Sequence, residues 1–148
     1  MNLAQVIEAV SQTFSESYFI QSEDGDYFFL YGSDNRFPFA TVVTHDNEYD
    51  HVSKLDREGY YRLNIGIGKE RFNALFAHIE AKSGIGGYWE AEIDFTKENE
   101  IFPHPVYGNM YWVSVVNPTD ETFKTLLLPY LQYAYEKAVE KDKKNNSN

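Results

Sequence analysis

One eight-residue run limits the fold of this chain more than any other stretch. Residues 60–67 alternate, setting Leu63, Ile65 and Ile67 on one face and Arg62, Asn64 and Gly66 on the other, because successive side chains of a strand point to opposite sides. The apolar face needs a core and the polar face needs water or partners, which is the pattern of an antiparallel sheet covered on one side. Other runs supply its neighbours. Residues 17–21 and 26–31 are short and aromatic, and between them Ser22-Glu23-Asp24-Gly25 offers the Asp-Gly pair of a tight hairpin. FATVVT (39–44) is a β-branched run entered from the polar loop 33–36 through Phe37-Pro38, and MYWVSVV (110–116) is closed by Asn117-Pro118.

Helical spacing appears three times. Leu3, Val6, Ile7, Val10 and Phe14 fall on one helix face behind an Asn2 cap; Phe72, Leu75, Phe76 and Ile79 do so from Lys69 up to a stop at Ser83-Gly84. A third helix is expected from Pro129, which suits a first turn, to about Lys141, with residues 120–128 as a separate turn. Residues 88–95 read equally as an edge strand or a loop. The expectation is one α+β domain over residues 1–142, an antiparallel sheet with helices packed on one face, and a disordered polar tail at 143–148.

Composition excludes several classes. The chain has 148 residues and no cysteine, which removes disulfides, thiolate metal sites and thiol nucleophiles. The first residues carry Glu8 and no basic stretch, and no run of about 18 apolar residues occurs, so neither a secretory signal nor a membrane partner is expected and the cytoplasm is the expected location. Net charge is −10, and without residues 137–148 the body holds 21 acidic against 9 basic residues. That field repels phosphate backbones and disfavours nucleic acid as a partner.

Four stretches, PFATVVT (38–44), LDREGYYRLNIGIGKERF (55–72), FPHPVYGNMYWVSVVNP (102–118) and LPYLQYAYEKA (128–138), together resemble a bacterial family, domain of unknown function 6194. That family implies no activity. The order of elements and the closing helix with its Ala-Tyr pair are more loosely similar to the YjbR/MmcQ group, whose fold is compared with frataxin. This similarity implies a YjbR-like or frataxin-like architecture. Members of that group are often labelled DNA-binding, but the acidic body departs from such a role, and a shared fold does not transfer function.

Within the quoted stretches the densest chemistry is Pro103-His104-Pro105-Val106-Tyr107. Prolines on both sides hold His104 in an extended loop, and histidine is suited to proton transfer near neutral pH; the plainer reading is that His104 and Tyr107 cap a carbonyl and fill the sheet edge. Arg62 and Asn64 share a strand face and could orient a carboxylate or phosphate, against the plainer reading that Arg62 pairs with a local acid such as Asp56 on a wetted face. Asp56 itself sits in a turn. Trp112 could floor a pocket or simply pack in the core.

Two motifs fail on inspection. The loop segment His45-Asp46-Asn47-Glu48-Tyr49-Asp50-His51 has metal-ligand composition, but His51 stands where a calcium loop needs Gly and Arg57 where it needs Glu. A solvated acidic loop is expected there, with no metal and no cofactor. Gly66-Ile67-Gly68-Lys69 lacks the third glycine of a dinucleotide fingerprint.

The expected function is therefore a small-molecule or peptide binding module. It would use Arg62, Asn64, His104, Tyr107, Trp112 and Asp56 on the sheet face that the helices leave open. An acid-base enzyme with His104 as general base is the alternative, and a YjbR-like nucleic-acid or protein interaction domain a second one.

Overall fold

The computed structural model describes residues 1–33 and 36–146. Asp34 and Asn35 of the expected polar loop, and Ser147 and Asn148 of the expected tail, lie outside the described residues. Six antiparallel strands, β1 (Tyr18–Gln21), β2 (Tyr27–Leu30), β3 (Ala40–Val43), β4 (Arg62–Gly66), β5 (Ile101–Pro103) and β6 (Trp112–Val116), form a sheet in the order β1-β2-β3-β4-β6-β5. The hairpin turns where expected: Gly25 has φ +93°, and the Asp26 amide donates to the Ser22 hydroxyl at 3.1 Å. Positive φ is the region glycine enters at least cost.

Register fixes the two faces. Phe29, Ala40, Ile65 and Val113 align across β2, β3, β4 and β6, and Val42, Leu63 and Val115 form the next row of that face. All seven are buried. Helices α1 (Leu3–Thr13) and α4 (Leu128–Asn146) cover it, with the ring of Tyr135 stacked on Phe14 at 4.9 Å and set edge-on to Phe39 at 5.7 Å. Asn2 caps α1 through a reciprocal pair with Gln5. Helix α2 (Lys69–Phe76) buries Phe72 and Phe76, Phe72 meeting Tyr88 and Tyr111 at 5.9 Å each.

Several expectations change. Helix α2 ends at Phe76, seven residues before Ser83, because the chain turns at 77–79 rather than carrying the apolar spacing onward. Of the two readings open for residues 88–95, edge strand or loop, the loop is the one observed, as turns and bends. The outer strand is instead β5, just ahead of His104. The C-terminal helix begins at α3 (Asp120–Thr122), nine residues before Pro129, and continues through a π-helical turn, Phe123–Leu127. There the Leu128 amide bonds the Phe123 carbonyl five residues back. A wider turn ahead of Pro129 accommodates a residue with no N–H to give, whose ring would clash in an ordinary helix. Helix α4 then runs to Asn146, so residues 143–146 are helical where a disordered tail was expected. Among the described residues no helix is long and apolar enough to cross a membrane.

Candidate functional site

The second face of the sheet is set by the same register. Asn64 lies between Thr41 of β3 and Ser114 of β6, Arg62 between Val43 and Val116, and Phe28 stands opposite Thr41. Arg62 and Asn64 do share this face, as their spacing implies, but both are fully buried. Arg62 donates through Nη1 to Asp50 Oδ1 at 2.9 Å and to Ser53 Oγ at 3.0 Å, through Nη2 to Asp50 Oδ2, and through Nε to Asn64 Oδ1 at 2.9 Å. Asn64 Oδ1 also accepts from the Ser114 hydroxyl at 2.7 Å, and its amide donates to Thr41 Oγ1 at 3.0 Å. Together the Arg62 and Asn64 side chains thus tie β3, β4 and β6 to the loop 45–59.

This arrangement corrects two expectations. The partner of Arg62 is Asp50 and not Asp56, which instead accepts from the Asp46 amide at 3.0 Å on the exposed side of the loop. Nor is the loop wholly solvated: Asp50, Ser53 and Leu55 are buried, so it folds over the Arg62 end of the face. A bidentate, nearly water-free pair uses both carboxylate oxygens, which leaves Arg62 no fork for an outside anion. The remaining acids and histidines of 45–51 are spread out. Asp46 accepts from the Leu55 amide, His45 sits 3.2 Å from Asp26, and among the described residues no three metal-ligating side chains converge.

Where the loop stops, the face opens. A cleft of about 1020 Å³ lies over Ile20, Phe28, Leu30, Thr41, Val43 and Trp112. Arg36, Phe37 and Pro38 close one end; Asn47, Tyr49 and Asp50 form a side wall; Ile85, Trp89 and the segment His104–Met110 form the other. Of the nine large apolar side chains that remain exposed among the described residues, seven line this cleft: Ile20, Phe37, Tyr49, Ile85, Trp89, Tyr107 and Met110. Ile85 is held out at 72% exposure by a braced turn, in which Asn109 Nδ2 donates to the carbonyls of Lys82 and Gly84 at 2.7 and 2.6 Å and the Gly86 amide donates to Val106 O at 2.8 Å. Gly87 has no room for a side chain, since a Cβ would stand 1.9 Å from Lys82 O.

His104 follows β5, and its amide bonds Trp112 O at 2.9 Å, which keeps the residue beside Trp112 at the cleft. It is 4% exposed. Nδ1 accepts the amides of Val106 and Tyr107, both at 3.0 Å, so it caps two N–H groups rather than the carbonyl anticipated. Burial first, and the Arg62 charge second, hold the His104 pKa well below the usual histidine value. The ring is therefore neutral with its proton on Nε2. Tyr107 packs against it, ring centroids 5.1 Å apart, and is itself half exposed.

Of the six residues singled out by sequence, His104, Tyr107 and Trp112 line the cleft, Arg62 and Asn64 are spent beneath it, and Asp56 is not part of it. Phe28, Trp89 and Asp50 were missed. Phe28 was legible from the alternation of β2; Trp89 and Asp50 lie in turns with no periodicity to mark them.

Residues 1–147 match the family of unknown function DUF6194. The chain belongs to that family. The match takes in the first 36 residues of this DUF6194 protein, ahead of the stretches in which the resemblance was read, so α1 and the β1–β2 hairpin are part of the shared pattern. No curated protein and no solved structure matches the chain.

Proposed function

We propose that this DUF6194 protein is a binding module whose ligand, a small molecule, sits in the cleft on the sheet face opposite α1 and α4. One observation carries the reading. Exposed apolar surface is concentrated around a single concavity of a size that suits a metabolite, and such patches ordinarily mark binding surfaces. The setting we infer is the bacterial cytoplasm, and the finer YjbR-like or frataxin-like description of the fold rests on the order of elements and the closing helix with its Ala-Tyr pair.

The enzyme alternative has less support. A general base needs a free lone pair, and His104 gives the one on Nδ1 to two backbone amides. The interaction-domain reading is disfavoured by the net charge of −10, which opposes a phosphate backbone.

Both tryptophans of the chain, Trp89 and Trp112, line the cleft. Intrinsic fluorescence is therefore a direct report on occupancy. In a thermal-shift screen of a metabolite library, a ligand present at about 100 times its Kd should stabilise the protein by roughly 2.7 kcal/mol and should also shift tryptophan emission. A ligand that raises the Tm while leaving emission unchanged binds elsewhere and counts against the cleft; a large library without any stabiliser counts against a small-molecule ligand.

A further inference from the structure

We propose that the ligand of this cleft is an uncharged, mainly apolar aromatic molecule bearing a carbonyl group, whose oxygen accepts a hydrogen bond from the Nε2–H of His104. The inference rests on reading the cleft as a ligand site and adds what the ligand must carry. Because Nδ1 of His104 accepts two amides, the ring proton belongs on Nε2. Among the described residues nothing accepts from that N–H, yet Nε2 is not sealed in the core: the buried side-chain atom left without a hydrogen bond, its contact with Asp26 being an ion pair only, is His45 Nδ1. The donor therefore reaches open space, and the space beside His104 is the cleft. A donor fixed in an apolar wall favours a ligand that brings an acceptor to it.

Charge argues for a neutral molecule. Both oxygens of Asp50 are taken by Arg62; Asp26 Oδ1 accepts the Thr44 amide at 2.9 Å and lies 3.2 Å from His45; Arg36 lies over the Phe37 ring at the mouth. Among the described residues each charged group lining the cleft is already engaged, while the net charge of −10 opposes an anion. The walls supply Phe28, Trp89 and Trp112, whose faces suit a planar ring.

The test uses three naphthalenes of nearly equal size, 2-acetylnaphthalene, 2-ethylnaphthalene and 2-naphthoate, titrated into the full chain and followed by ligand-observed NMR. The ketone is expected to bind about tenfold more tightly than the ethyl compound, the difference of one good hydrogen bond, and more tightly than the carboxylate. In His104→Asn the side-chain oxygen can still take the Val106 and Tyr107 amides, but nothing stands at the Nε2 position. There the ketone and the ethyl compound should bind within about twofold of each other, roughly at the wild-type ethyl affinity. A readout without any substitution accompanies it: the His104 Nε2–H resonance should move with the ketone and not with the ethyl compound. Equal wild-type affinities, or the carboxylate binding tightest, would overturn the His104 inference and leave the cleft standing. If none of the three binds or alters tryptophan emission, the cleft reading falls with it.

Discussion

Arg62→Ala is expected to lower the unfolding free energy by about 3–5 kcal/mol, because it strands the Asp50 carboxylate against a buried sheet face. Asp50→Ala should cost a similar amount by leaving the guanidinium without its counter-charge at zero exposure. The informative comparison is the double variant Arg62→Met with Asp50→Leu. Removing both charges in favour of apolar groups of similar volume should recover most of the loss, since a buried pair contributes far less than the penalty for breaking it. Urea denaturation of the four proteins closes the cycle. Single losses below about 1 kcal/mol would mean that the pair is wetted, as exposed pairs are, and that loop 45–59 does not sit on the sheet as described.

The second large effect is one of pH. The folded pKa of His104 is depressed, so in the window between the unfolded value of about 6.5 and the lower folded value the unfolded chain binds a proton that the native state refuses. The stability tied to His104 is thus fully present above about pH 6.5 and falls as the pH drops through that window, with a slope reaching about 1.4 kcal/mol per pH unit. His104→Asn, which cannot titrate, should remove this part of the slope. Calorimetric Tm values of wild type and variant between pH 5 and 8 give the comparison. Parallel curves would show that the ring takes a proton as easily folded as unfolded.

What was legible in the sequence was what is local. The alternation of residues 60–67, the Asn2 cap and the Asp24-Gly25 turn each act within a few residues and each predicted its element, the alternation its two faces as well. The Arg62–Asp50 pair could not be read the same way: twelve residues separate the partners, and Asp46, Glu48, Asp50 and Asp56 are equivalent acids until the loop's path selects one. β5 escaped because three residues ending in proline carry too little pattern to mark a strand. Pro129 reads as a helix start since an interior proline ordinarily breaks a helix; the π-helical turn that accommodates it has no signature of its own. Trp89 and Ile85 reach the cleft from turns fixed by Asn109 and backbone amides, contacts for which composition gives no cue.

The two long walls of the cleft are fastened by different means. One is tied through a charged knot inside the sheet, the other through amide and carbonyl bonds near the surface. In hydrogen-exchange terms, the amides of Asp50 and Leu55 should be released only when the whole domain unfolds, whereas those of Gly86, Gly87 and Trp89 should exchange through local openings of lower free energy. The side that carries Ile85 and Trp89 would then be the yielding one, and the side anchored on Arg62 the fixed one.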